Sequence, residues 1–92
     1  MDLSRLLKSR IYFKIVSFFH ENPASIDTPR GVATWTNESK QDVKKVLLKL
    51  ASLKILMAHR VSSTTGYSYT RDGKLIKKID SLLKKIKKEE VK

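Results

Sequence analysis

Ser39-Lys40-Gln41-Asp42-Val43-Lys44-Lys45-Val46-Leu47-Leu48-Lys49-Leu50 is the stretch that decides how this chain folds. Val43, Val46, Leu47, Leu50 and, just beyond, Leu53 recur at three- and four-residue steps, which draws one apolar stripe down a helix. Ser39 stands where its hydroxyl can accept a free N–H of the first turn. Asp42 puts a negative charge at the helix start, so the two resemble a capping box. Lys40, Gln41, Lys44, Lys45 and Lys49 fill the other face. An apolar back and a basic, amide-bearing front suit a helix that packs on a domain while facing phosphates and base edges. The bland alternative is an ordinary solvated lysine face.

The residues upstream favour the first reading. Thr28-Pro29 is a helix start, with Thr as cap and Pro at the first helical position, where no N–H is needed. A short helix from Pro29 to about Trp35 follows. Thr36-Asn37-Glu38 then makes a turn, and Asn37 is the residue best suited, after glycine, to a left-handed backbone. A short helix, a tight turn and a longer basic helix make a helix-turn-helix.

With those residues in place, the chain resembles the winged helix-turn-helix transcription regulators, broadly of the MarR and ArsR kinds. The resemblance runs from Leu7-Lys8-Ser9-Arg10-Ile11 through the last helix. It implies an α+β, mostly α fold: a winged helix-turn-helix with a small β-hairpin wing and a C-terminal amphipathic helix. Asn37 matches the turn glycine of such domains, and Ala33 the small residue where the two helices cross. Glu38 departs from the pattern, which has an apolar residue after the turn, and Trp35 is the candidate to fill that part of the core instead.

Length and composition agree. Residues 1–92 suffice for one domain with a single modest core. At 40% hydrophobic and 32% charged, the composition is that of a soluble globular protein. No run of about 18 apolar residues is present, so no transmembrane helix is expected. Met1-Asp2-Leu3-Ser4-Arg5 lacks signal-peptide features, and a cytoplasmic protein is the expectation. The absence of cysteine excludes disulfides and thiolate metal sites.

The formal charge of +11 is unevenly placed. Residues 1–39 carry five basic and four acidic side chains, whereas residues 40–60 carry six and one. Residues 61–73 balance, and residues 74–92 carry eight and three. The excess therefore begins at the basic helix. It raises the local concentration of a polyanion and releases counterions on binding. A lysine-rich surface kept for solubility or heat resistance accounts better for the tail than for residues 40–60.

Around this centre, residues 3–21 read as a first helix, with Ser9 able to cap a fresh start and Asn22-Pro23 ending it. Ala24-Ser25-Ile26-Asp27 reads as an edge strand. Met57 to Ser62 and Tyr67 to Arg71, around Ser63-Thr64-Thr65-Gly66, read as a hairpin, which the resemblance makes the wing. Alternation puts Tyr67, Tyr69 and Arg71 on one face. His20, Glu21 and Asp27 lack any metal-ligand spacing, His59 lies in another element, and no nucleophile pairs with a base. No enzyme, metal or cofactor is expected. Asp72-Gly73 opens a last helix, Lys74 to about Lys88, whose Leu75, Ile79, Leu82 and Ile86 form a stripe narrow enough for a two-helix seam. Packing back on its own domain is the alternative. A membrane-surface role is disfavoured, because Trp and Phe anchors are missing.

The expected function is therefore binding of double-stranded DNA as a homodimeric transcription regulator. Lys40, Gln41, Lys44, Lys45 and Lys49 are the candidate contacts from the helix, and Arg60, Thr64 and Arg71 those from the wing. Gln41 is the best base reader, because its amide pairs bidentately with adenine. Leu75, Ile79, Leu82 and Ile86 are the candidate dimer seam. The alternatives are a winged helix that serves as a protein-interaction module in a larger assembly, and one that binds RNA.

Overall fold

Ser9 interrupts the apolar N-terminal run, so the helix expected over residues 3–21 is two helices. The computed structural model, which describes residues 2–90, has α1 at Leu3–Leu7 and α2 at Arg10–Glu21. Asp2 caps α1 by accepting the Ser4 N–H at 3.0 Å, and Ser9, in extended conformation, is the N-cap of α2. After α2 come β1 (Ile26–Asp27), α3 (Pro29–Thr36), α4 (Lys40–Ser52), β2 (Leu56–Val61), β3 (Thr64–Tyr69) and α5 (Gly73–Glu90). The strands form one antiparallel sheet in the order β1-β3-β2. The architecture is a winged helix, mostly α, with β2 and β3 as the wing.

Local signals set the middle of the chain. Thr28 Oγ1 accepts the Gly31 N–H at 3.2 Å, with Pro29 in the first turn of α3. Asn37 ends α3 in the left-handed region, at φ 58° and ψ 39°, where asparagine is tolerated better than other side chains. Ser39 Oγ then accepts the Asp42 N–H at 3.2 Å to open α4. Val43, Val46, Leu47 and Leu50 are buried, as their spacing predicts. They meet Ile15, Val16 and Phe19 of α2, Val32 of α3 and Tyr67 and Tyr69 of β3 in one continuous core.

One expectation about this region is corrected. Trp35 does not enter the core but is 73% exposed. Pro29, Val32 and Thr36 take the inward row of α3, at steps of three and four, and Trp35 falls outside it. Its ring lies against Phe18, with centroids 5.9 Å apart and planes tilted by 33°. Glu38 is instead accommodated by an ion pair, since Lys14 Nζ donates to Glu38 Oε2 at 2.9 Å and to the Thr36 carbonyl at 3.0 Å.

The hairpin turns earlier than expected, at Ser62-Ser63, because Val61 pairs with Thr64. Thr64, Thr65 and Gly66 belong to β3. Gly66 serves not the turn but the approach of β1, since a Cβ there would come within 2.9 Å of Ile26 Cγ2. Tyr67 and Tyr69 share the inner face, but their alternation stops before Arg71, which is exposed beyond the strand end. There Thr70 Oγ1 accepts the Asp72 N–H (3.1 Å), and Asp72 Oδ1 accepts the Lys74 N–H (3.0 Å) to start α5.

α5 returns to its own chain. Ile79, Leu83 and Ile86 are buried, while Leu75 and Leu82 are half-buried. The four-residue seam read from the sequence thus divides, with Ile79 and Ile86 already covered. His20 helps to hold α5 in place. Its Nδ1 lies 3.0 Å from the Tyr69 hydroxyl and its Nε2 2.8 Å from Asp80 Oδ1, while Lys84 Nζ donates to Asp80 Oδ2 at 2.9 Å. The bonds from Lys84 and His20 hold the Asp80 carboxyl below its usual range. Burial, with the Asp80 charge adding to it, pushes the Tyr69 hydroxyl up to about 12.

Candidate nucleic-acid interface

At about 100° per residue, the exposed arc of α4 is centred on Gln41, Lys45 and Leu48, opposite the buried row. Lys40 and Lys44 lie on the side of that arc nearer the wing. There the start of α3, the flank of α4 and the wing enclose a groove. Thr28 and Arg30 line it from α3, Lys40, Lys44 and Leu48 from α4, and Arg60, Ser63, Thr64 and Thr65 from the hairpin, with Pro29 and Tyr67 at its floor. Four cationic side chains from three elements converge, and no carboxylate is among the lining residues. The positive end of the α3 dipole adds to their field. Such a groove attracts phosphates, and the hydroxyls of Thr28, Ser63, Thr64 and Thr65 can donate to phosphate oxygens.

The structure therefore brings together Lys40, Lys44, Arg60 and Thr64 from the residues singled out in the sequence. Gln41 is exposed on the same helix, beside the groove. Lys45 lies in a separate hollow with Arg10, Tyr12, Glu38 and Asp42, outside the groove. Lys49 is partly covered on that same flank. Arg71 stands at the end of β3 remote from the Ser62-Ser63 tip, outside the groove.

Sequence reasoning missed Arg30 and Leu48. Arg30 follows the Thr28-Pro29 start directly, and that placement at a helix N-terminus was its only signal. Leu48 is 63% exposed, and its signal was phase: it is the one large apolar residue of α4 off the buried row.

A second cleft opens on the opposite side of α3, against α2. Phe13, Phe18 and Trp35 line it, together with Lys14, Ser17, Glu21, Asn22, Ser25, Asp27 and Thr36. Burial raises the Asp27 carboxyl above its ordinary range.

No protein-family model and no curated protein matches the sequence. Solved structures do match the fold. The homodimeric winged helix-turn-helix DNA-binding domain of Mb0332 from Mycobacterium bovis, a possible ArsR-family transcriptional regulator, aligns with a TM-score of 0.67. The alignment has 16% identity over 95% of this chain and 76% of that one. A MarR family transcriptional regulator from Silicibacter pomeroyi aligns with a TM-score of 0.66 at 18% identity, over 97% and 62%. Human N-acetylserotonin methyltransferase aligns at 0.62 and 19% identity, over 75% and 20%. The chain thus spans a fifth of the methyltransferase and under two thirds of the Silicibacter protein. What it shares with all three is the winged helix fold, of the kind found in MarR and ArsR transcription regulators.

Proposed function

We propose that the chain binds double-stranded DNA as a transcription regulator. In this reading α4 enters the major groove, while the wing and the start of α3 hold the flanking phosphates. The observation that carries it is the acid-free groove in which Arg30, Lys40, Lys44 and Arg60 meet beside the exposed Gln41. The cations and hydroxyls set position along the backbone, and the exposed row reads bases. Gln41 is suited to adenine through its amide, and Leu48 to the thymine methyl. Lys45 and Lys49 serve the far flank of the helix. The likeness in fold to domains described as DNA-binding supports the reading.

Two copies on a two-fold axis would extend the site and raise the affinity. Leu75 and Leu82, with the half-buried Leu3 and Leu6 of α1, are the apolar surface left for a second copy. Binding measured by fluorescence anisotropy against salt tests the main reading. Four neutralised phosphates per copy give a log–log slope of about −3 to −4 for each copy. A flat salt dependence, or duplex RNA competing as well as duplex DNA, would refute it. Sedimentation as a monomer at protein concentrations that saturate the DNA would remove the dimer alone.

A further inference from the structure

The cleft between α2 and α3 is unlike the rest of this surface. The chain carries +11, yet Glu21 and Asp27 line this cleft, and its one lysine, Lys14, is neutralised by Glu38 at 2.9 Å. Trp35, 73% exposed, forms one wall with its ring against Phe18, and Phe13 lines the same cleft. A single exposed apolar side chain needs no explanation, but three aromatic residues and two carboxylates lining one cleft make a surface of defined chemistry. Asp27 is partly withdrawn from water, and no donor or cation among the described residues is set against that burial. A carboxylate in that condition gains from an incoming positive charge. Aromatic faces attract cations for the same electrostatic reason, tryptophan most strongly.

We propose that this cleft is a binding site for an organic cation with an apolar body, of the aryl- or alkylammonium class. The apolar part lies against Trp35, Phe18 and Phe13, and the charge faces Asp27 and Glu21. Lys14 does not repel the ligand strongly, because its ammonium is already held by Glu38 and the Thr36 carbonyl. Anions are excluded by the two carboxylates, and neutral analogues lose the electrostatic part of the attraction. The site is separate from the basic groove, which lies across α3.

Trp35 is the only tryptophan of the chain and therefore reports on its own site. Benzyltrimethylammonium, titrated at constant ionic strength, should change the protein fluorescence to saturation, half-complete at about 0.1–1 mM. Benzyl alcohol and phenylacetate over the same range should not. Asp27→Asn combined with Glu21→Gln should weaken the cation about tenfold with circular dichroism unchanged. Glu21→Gln alone, on an exposed side chain, should weaken it about threefold and serves if the double variant does not fold. No saturation by about 10 mM, an equal response to the alcohol, or unaltered affinity in the neutralised variants would overturn the proposal.

Discussion

On the wing side of α3 the lining residues include Arg30, Lys40, Lys44 and Arg60, with no carboxylate among them; on the α2 side they include Phe13, Phe18 and Trp35, with Glu21 and Asp27. The same eight-residue helix borders both, its N-cap Thr28 and its first-turn Arg30 facing the groove and its last turn contributing Trp35 and Thr36 to the cleft. Net charge says nothing of this contrast. A chain at +11 can still present an acid-edged aromatic hollow, because the fold gathers side chains from distant segments. Chemistry is thus a property of each face.

The largest effect should come from behind both faces. Val46→Asp or Leu50→Asp puts an unpaired charge where the parent side chain is buried, and should cost about 3 kcal/mol or more. Groove and cleft would be lost together. A cooperative thermal melt at the parental temperature, followed by circular dichroism, would show that α4 is phased differently.

A separation of the two faces comes next. Lys40→Ala with Lys44→Ala should weaken DNA binding about tenfold or more and make the salt slope shallower by about 2. Lys45→Ala should cost less, since Lys45 lies outside the groove where the other cations converge. Glu21→Gln with Asp27→Asn should change DNA affinity by no more than about twofold, because screening limits the reach of these charges across α3. Anisotropy titrations decide the matter. A greater loss from Lys45→Ala than from the pair would move the principal contact to the other flank of α4.

The bridge from His20 to Tyr69 and Asp80 ties α2, β3 and α5 together, in a hollow that adjoins the cleft through Phe13, Ser17 and Glu21. Tyr69 titrates at about 12 in the folded chain against 10.0 for a free side chain, so the folded state keeps a proton that the unfolded state has lost. Its contribution to stability is therefore full below pH 10.0 and disappears as the pH rises to about 12. Asp80, with its carboxyl held low, adds stability above the ordinary aspartate range that is lost as the pH falls through its lowered value. Melting temperature followed against pH should show both losses, and Tyr69→Phe should abolish the alkaline one alone. An unchanged alkaline limb in that variant would mean that another group controls it.

The smallest effect concerns a single methyl group. Replacing thymine by uracil at the contacted position of a selected duplex should weaken binding about three- to fivefold. Leu48→Ala should make thymine and uracil equivalent while leaving the salt slope intact. If the parent protein does not distinguish the two bases, Leu48 does not reach the thymine methyl.

Local chemistry was enough for much of this molecule. The stripe of Val43, Val46, Leu47 and Leu50, the caps at Thr28, Ser39 and Asp72, and the left-handed Asn37 depend on residues within a turn or so of one another, so the chain spells them out directly. They determined the helix-turn-helix and the basic front of α4, and with them half of the candidate groove. Only the tertiary structure decided which surfaces stay open. Trp35 lies outside because Val32 and Thr36 hold the inward row, Gly66 is small because Ile26 crosses over it, and Ile79 and Ile86 are covered by their own chain. It likewise joined Arg30 and Arg60 to Lys40 and Lys44, and His20 to Tyr69 and Asp80. Periodicity shows that a helix has two faces, but what covers each face is set by elements tens of residues away, and nothing within a single turn encodes that choice.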